Sequence, residues 1–404
     1  MKYVIIQGDG MPDHRLPQLQ NKTPLEIADT PNLDFIAQRA IKFGMVKTIP
    51  DKLPPGSDVG NLTVLGYNPL VYYTGRSPLE AASIGVDLEK EDVTLRCNLV
   101  TLKSGDSGTE IMEDYSAGHI SDYEAREIIN SLKAELEEDN LKFYPGVSYR
   151  HLVVWKGGNK DVTTTPPHDI SGKEIDPYLP SGRGSAKLTE LINRSKKILK
   201  DHPVNKKRIK EGKNPATSIW LWGQGTAPEM PGLKELYGIQ GSVISAVDLV
   251  KGIGHYAGMK VIDVPGATGY LDTNYEGKVE YALNSLEEVD LTMIHIESTD
   301  ETGHVGKVEL KIQAIEDLDR RVVGPVLEGI KKYKDYRILV MSDHPTPIDI
   351  KTHVNEPVPF AIYSSENTDI KNPSYVYTES SASESGTFIE EGWKLLGILL
   401  NKEL

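Results

Sequence analysis

An apolar run that stops at an acidic residue occurs three times in this chain: before Asp9, before Asp300 with His304 one helical turn on, and before the adjacent pair Asp343-His344. His353 follows the last of these in the same loop. In an open parallel sheet, groups placed just after the strands meet in a crevice at the carboxyl ends, however far apart they lie in the chain. Three carboxylates and three imidazoles are more than one ion needs, so two divalent cations are expected. Oxygen and nitrogen donors without a thiolate suit Mn²⁺ or Zn²⁺, and fit Ca²⁺ less well because that ion takes oxygen ligands. Each residue also has a plain reading. Asp9-Gly10 and Asp343-His344-Pro345 could be turns, and a lone histidine is more often packed or solvated. The shared position after strands is what joins them.

Ser57 is the candidate nucleophile. It follows the rigid turn Pro54-Pro55-Gly56 and precedes an apolar segment, 59–65. Helix capping or turn formation is its ordinary role. A serine hydroxyl is a weak nucleophile until a base or a metal takes its proton. One of two bound cations would do so, while both neutralised the oxygens of a phosphoryl group in transfer.

These residues need a scaffold that holds strand ends together. Short β-rich runs at 3–6, 218–221, 260–264, 291–296, 337–341 and 359–363 alternate with helical patterns at 30–39, 243–256, 277–286, 308–332 and 386–400. Alternation of this kind predicts an α/β fold, a mostly parallel sheet flanked by helices. The middle of the chain reads differently. Runs at 94–102 and 109–115 around the Gly-rich turn 104–108 predict a hairpin, and Ser121 with Glu124 forms a capping-box signature for a helix to about residue 138. A strand at 149–155 and a helix at 186–199 follow. Residues 73–215 are therefore expected as an α+β substrate-binding domain inserted into a metal-binding domain made of 1–72 and 216–404; 404 residues exceed the size at which single cores stop growing, about 250–300 residues.

Net charge is −14, which disfavours nonspecific nucleic acid and anionic membrane as partners. An anionic substrate would need local cations to overcome that field. The densest basic stretch, 196–213, reads as a solvated helix end and loop. Cys97 is the sole cysteine, so no internal disulfide can form, and a buried thiol in a reducing cytoplasm is expected. The apolar stretch 3–6 near the amino terminus is too short for a signal peptide or a membrane span. Sequence alone sets no oligomeric state.

Longer motifs add a resemblance. Asp9-Gly10-Met11, Lys22-Thr23-Pro24-Leu25-Glu26, Thr30-Pro31-Asn32-Leu33-Asp34, Pro55-Gly56-Ser57-Asp58-Val59 and Tyr73-Thr74-Gly75-Arg76-Ser77-Pro78-Leu79-Glu80 resemble the archaeal-type cofactor-independent phosphoglycerate mutases. Val264-Pro265-Gly266-Ala267-Thr268-Gly269, the segment 300–304 and Ser342-Asp343-His344-Pro345-Thr346-Pro347 continue the match over essentially the whole chain. That family belongs to the alkaline phosphatase superfamily. The resemblance implies one ion held by Asp300, His304 and His353, and a second held by Asp9, Ser57, Asp343 and His344. It further implies that Ser57 takes a phosphoryl group from 3-phosphoglycerate and returns it to the 2-hydroxyl, with no bisphosphoglycerate.

A phosphoglycerate carries a carboxylate and a phosphate, so guanidinium or ammonium groups must hold it. Arg76, Arg150, Arg183 and Lys251 are the candidates, against the ordinary fate of such groups in surface salt bridges. His119 and Asp169 resemble the family's substrate-side pair. Asp169 could act as general base for the glycerate proton, or merely stabilise its loop. Three rivals stand beside this reading. A bacterial branch proposed as homoserine kinase carries segments much like Arg96-Cys97-Asn98-Leu99-Val100-Thr101, Ser148-Tyr149-Arg150-His151 and Trp220-Leu221-Trp222-Gly223-Gln224-Gly225, although no P-loop is visible. A non-catalytic phosphate-binding relative would be expected to lack a ligand, and none is missing. A plain phosphomonoesterase would let water accept the phosphoryl group, which a closing inserted domain would oppose.

Overall fold

The computed structural model describes residues 1–105, 108–366 and 368–402. Asp106 and Ser107, in the expected turn 104–108, lie outside the described residues, as do Asn367, Glu403 and Leu404. The chain divides into two compact units, 1–73 with 229–404, and 74–228.

In the first unit, the strand Lys2–Gly8 carries Val4, Ile5 and Ile6 in succession, all fully buried. A strand covered on both faces reads as a continuous apolar run rather than an alternating one, which is the mark of a central parallel strand. It lies between Leu291–Ile296 and Tyr336–Met341, parallel to both. The sheet has eight strands, in the order Lys260–Ile262, Gly241–Ile244, Leu291–Ile296, Lys2–Gly8, Tyr336–Met341, Val358–Ser364, Lys42–Val46 and Phe388–Ile389. Only Val358–Ser364 runs antiparallel to its neighbours, so the expected α/β architecture with a mostly parallel sheet is what this unit forms. Helices Pro31–Arg39, Tyr275–Ser285 and Val308–Leu318 contribute apolar faces, including Leu33, Ile36, Val279, Ala282, Ile315 and Leu318, to one core with the strands.

The second unit is built on antiparallel pairing. The long strand Val93–Ser104 pairs with Glu110–Asp114, with Arg150–Trp155 and with Ser218–Thr226. Helix Asp122–Leu136 begins with the expected capping box, Ser121 and Glu124 satisfying each other's backbone amides. Its Ile128, Ile129 and Leu132 join Leu188, Leu191 and Ile192 of helix Ser185–Leu199 in a second core. Each such buried aliphatic side chain contributes roughly 1.5–3 kcal/mol of transfer free energy.

Three sequence expectations change here, the first being the helix expected over 386–400, where the chain instead forms the edge strand Phe388–Ile389 and is α-helical only over Leu395–Leu400. The run 218–221, expected in the parallel sheet, belongs to Ser218–Thr226 and pairs antiparallel with Val93–Ser104, so 216–228 fall in the second unit rather than the first. Ser218 through Trp222 are all buried, and burial of a whole run erases the alternation that distinguishes an antiparallel strand from a parallel one. The helix expected over 243–256 is instead a strand, Gly241–Ile244, followed by a helix, Asp248–Tyr256. No helix among the described residues is long and apolar enough to cross a membrane.

Candidate functional site

Register puts three strand ends at one level. Gly8 pairs with Ile296 and Gln7 with Met341, so the chain leaves the sheet side by side at Asp9, at Glu297 and at Ser342-Asp343-His344. The Asp9 amide is the last rung, donating to the Ile296 carbonyl at 2.9 Å. Gly10 then turns with φ +57, and its amide donates to Asp343 Oδ1 at 3.3 Å. A side chain there would collide with the Asp300 carboxylate and the Thr346 hydroxyl, which is why this turn takes glycine. Beneath it, the wholly buried Lys311 donates to the carbonyls of Gly10 at 2.7 Å and Thr346 at 2.8 Å, tying the first and third loops together. Burial lowers its pKa, and the neighbouring carboxylate of Asp13, 3.5 Å away, opposes the shift.

Ser57 opens helix Ser57–Val64, directly after Gly56. Its Oγ lies 3.1 Å from His344 Nε2. One turn on, Asn61 Nδ2 donates both to the Ser57 carbonyl, at 2.9 Å, and to Asp343 Oδ2, at 3.0 Å, holding the helix start against the third strand end. Gly60 makes this approach possible, because a Cβ there would sit 2.7 Å from Asp343 Cβ and 2.8 Å from its carbonyl oxygen. Gly to Ala inside a helix ordinarily stabilises by about 1 kcal/mol. Here the clash with backbone outweighs that gain, so Gly60→Ala is expected to lower Tm and to cut turnover at least roughly tenfold by shifting Ser57 from His344. Calorimetry and initial rates check it; a variant as stable and active as the parent would refute this packing.

Three overlapping donor groups have ligand atoms within 4.8 Å of one another: Asp300, His304 and His353; Asp9, Asp300 and His344; and Asp9, His295 and Glu297. In the first, His304 Nε2 lies 3.1 Å from Asp300 Oδ2 and His353 Nε2 lies 3.5 Å from Asp300 Oδ1. His304 Nδ1 donates to the Lys351 carbonyl at 2.9 Å, which leaves Nε2 turned into the group. Burial alone would raise the Asp300 pKa, but hydrogen bonds from His304 and His353 hold it well below the usual carboxylate range. Burial disfavours the charged form of His304 as well, which would lower its pKa, yet its hydrogen bond to Asp300 carries it up to about 9. In the second group, His344 Nε2 lies 3.5 Å from Asp9 Oδ1 and 3.3 Å from Asp343 Oδ2. Burial, then the His353 charge, push His344 down to about 3, and burial with the Asp300 charge pushes Asp343 up to about 7. Asp9 is raised well above the usual range by burial and by the charges of Asp343 and Glu297.

His295 and Glu297 were not among the sequence candidates. His295 Nε2 lies 2.7 Å from Asp9 Oδ2, while Ser245 Oγ lies 3.1 Å from Nδ1, so the imidazole orients the first carboxylate. The available signal was an imidazole inside an otherwise apolar strand, closely followed by an acid.

The substrate-side candidates are divided between the two units. Lys251, in the first unit, pairs with Asp263 at 2.6 Å. In the second unit Arg76 Nε lies 2.9 Å from Glu80 Oε1, and Arg150 lies over Tyr149 at 5.3 Å. The exposed His119 meets Tyr149 edge-on at 5.9 Å. Arg183 is exposed, and so is Asp169, whose Oδ1 lies 3.6 Å from His168 Nε2.

A parallel sheet that gathers buried carboxylates, imidazoles and a serine hydroxyl at its carboxyl edge defines a class: α/β proteins with a donor set suited to divalent cations beside a nucleophile. Comparison with known proteins narrows it. The family model described as 2,3-bisphosphoglycerate-independent phosphoglycerate mutase matches residues 37–205. Proteins of that name from Methanosarcina barkeri, 52% identical over 99% of both chains, and, as a probable one, from Geobacter sulfurreducens, 51% identical over 100% of both, are similar along the full length. A Pyrococcus horikoshii protein of solved structure superposes with TM-score 0.83 at 27% identity, covering 100% of this chain and 98% of that one. The cofactor-independent phosphoglycerate mutase of Thermoplasma acidophilum gives 0.65 at 28% identity over 99% of each. The chain belongs to the 2,3-bisphosphoglycerate-independent phosphoglycerate mutase family.

Proposed function

We propose that this chain interconverts 3-phosphoglycerate and 2-phosphoglycerate through a phosphoserine on Ser57, without bisphosphoglycerate. The observation that carries the proposal is the Ser57 hydroxyl, 3.1 Å from His344 Nε2 at the rim of a buried carboxylate and imidazole cluster. That cluster fits divalent cations. Asp9 Oδ1 is buried without a hydrogen-bond partner among the described residues, and burial, then like charge, push the Asp9 and Asp343 pKa values upward, as expected of acids gathered for a positive ion. Asp300, His304 and His353 would hold one Mn²⁺ or Zn²⁺, and Asp9, Ser57, Asp343 and His344 the other. Bound there, the pair supplies a lowered hydroxyl pKa and neutralisation of phosphoryl oxygens.

The chain's own groups do the rest. Ser57 Oγ forms a bond to phosphorus as the bond from phosphorus to the 3-oxygen breaks, and the retained glycerate takes the proton that Ser57 gives up. Its 2-hydroxyl then attacks the phosphoserine, displacing Oγ, with Asp169 proposed to carry the proton. Arg76, Arg150, Arg183, His119 and Lys251 are proposed to hold substrate. The buried Cys97, its thiol pushed up by burial, suits a reducing cytoplasm.

The test is a product assay on protein loaded with Mn²⁺ or Zn²⁺. Interconversion of the two phosphoglycerates without added bisphosphoglycerate is expected, together with loss on chelation and recovery on adding metal back. No interconversion alongside ATP-dependent phosphorylation of homoserine would overturn the proposal in favour of a kinase, and release of inorganic phosphate alone would assign a phosphatase.

A further inference from the structure

The irregular segment 342–357 links strand Tyr336–Met341 to strand Val358–Ser364 and carries His344 and His353. Its first half is tied to the loop that follows Lys2–Gly8. The Thr346 amide donates to the Gly10 carbonyl at 3.2 Å, and the Ile348 amide lies 3.2 Å from both oxygens of the Asp13 carboxylate. Beyond Ile348 the chain turns with Lys351 at φ +61, a left-handed conformation that an L side chain rarely adopts, and His353 lies just past it. The His304 ring is oriented through its other nitrogen by the Lys351 carbonyl, whereas the His353 ring, among the described residues, hydrogen-bonds to no group outside the donor cluster. A ligand histidine is ordinarily fixed by such an outer bond. The place of His353 is therefore set by the backbone of its loop.

His14 reaches that loop on both sides of the left-handed turn. Its Nδ1 lies 3.1 Å from Asp349 Oδ1 and its Nε2 lies 3.4 Å from Glu356 Oε1. A neutral imidazole has one N–H and one lone pair, so it can donate to only one of these carboxylates; the imidazolium donates to both. Burial alone would lower the His14 pKa, but the hydrogen bond and charge of Asp349, then those of Glu356, raise it above the usual value. Other charges beside it are paired. Asp13, which accepts the His14 amide at 2.8 Å, lies 3.5 Å from Lys311, and Arg15 meets Glu26 at 2.7 Å. One exposed ion pair contributes little by itself. A cation held by carboxylates at either end of a turn does more, because it closes the segment between them into a loop of fixed span.

We infer that His14 is a positioning residue for the ion held by Asp300, His304 and His353: bonded to Asp349 and Glu356, it pins the segment 349–356 and with it His353. This rests on those three residues holding an ion, as proposed above, and not on the identity of the phosphorylated substrate. Because the folded protein favours the imidazolium, the clamp is complete below the ordinary histidine range and is lost as pH rises through the raised folded-state pKa. Positioning and plain electrostatics act in opposite directions. A positive charge near a bound cation repels it, so removing a histidine without a positioning role would tighten binding.

The experiment is calorimetric titration of Mn²⁺ into chelator-treated protein at about pH 6 and about pH 8.5, on either side of the histidine range, for the parent, His14→Gln, His14→Arg and Asp300→Asn. At the lower pH, His14→Gln is expected to bind one of the two ions roughly three- to tenfold more weakly than the parent and to gain less in Tm from saturating Mn²⁺. The metal-free proteins should unfold at closely similar temperatures. At the higher pH the ratio of parent to His14→Gln affinity should fall towards one. His14→Arg keeps a cation that donates to both carboxylates at either pH, so it should match the parent at the lower pH and exceed His14→Gln at both. In an Asp300→Asn background, His14→Gln should have no further effect. Equal or tighter binding by His14→Gln at the lower pH, a ratio that does not change with pH, or a weakening that persists in the Asp300→Asn background would overturn the clamp. Undiminished binding by Asp300→Asn would sink the ion site itself and the clamp with it, whereas loss of an ion there beside normal binding by His14→Gln sinks the clamp alone.

Discussion

Ser57→Ala is expected to abolish phosphoryl transfer, by at least roughly 10³-fold in kcat, while the protein folds and binds cations nearly as before. Ser57 opens helix Ser57–Val64, but Gly56 occupies the capping position, so the substitution removes no side-chain cap. The bond from Asn61 Nδ2 to the Ser57 carbonyl, 2.9 Å, involves only backbone at residue 57 and survives. What disappears is the oxygen 3.1 Å from His344 Nε2. A half-buried hydroxyl with one such contact contributes about 1 kcal/mol to stability, whereas loss of the attacking atom leaves no route to a covalent intermediate. The measurement is incorporation of labelled phosphate from 3-phosphoglycerate into protein. The parent should acquire acid-stable label and the alanine variant none, with matching circular dichroism and metal content. A variant that still interconverts the two phosphoglycerates at the parent's rate would end the assignment of Ser57.

The residues legible in the sequence were those that stand where a pattern breaks. Asp9, Asp300 and Asp343 follow apolar runs, and the loss of hydrophobicity at each carboxyl end marks both the end of the strand and the place where a parallel sheet presents side chains to one crevice. Ser57 was legible because a Pro-Gly turn isolates it. His295 was not, since a residue within a strand is read as part of the strand, and its contact with Asp9 exists only because Gln7 pairs with His295. Lys311 was hidden for a related reason. A lysine on an amphipathic helix looks solvated, and only the packing of helix Val308–Leu318 beneath two loops turns it into a buried tie. Strand Ser218–Thr226 misled because complete burial gives parallel and antiparallel strands the same composition. Single arginines carry no local signature at all. The contacts of Arg96 arise only through register, which sets it opposite Trp222 and within reach of the carboxylate that Arg76 also contacts.

Asp300→Asn probes the other half of the site, and its largest effect should fall on cations rather than on folding. The amide is nearly isosteric, so helix Ser298–Val305 keeps its packing and His304 keeps its bond to the Lys351 carbonyl at 2.9 Å. The negative charge that both His304 and His353 approach, at 3.1 and 3.5 Å, is gone. Two imidazoles and a weakly donating amide bind a divalent ion far less tightly than the same imidazoles with a carboxylate, since hard oxygen anions supply most of the charge compensation. Metal analysis should fall from two ions per chain towards one, and kcat by at least roughly 10³-fold, because removing either partner of a two-ion clamp leaves charge on the transferring group unbalanced. Thermal stability supplies a readout independent of turnover. A ligand at 100 times its Kd stabilises the folded state by about 2.7 kcal/mol, so saturating Mn²⁺ or Zn²⁺ should raise Tm distinctly less in the variant than in the parent. Equal metal content and equal Tm gains in the two proteins would show that Asp300, despite its place between two imidazoles, holds no ion.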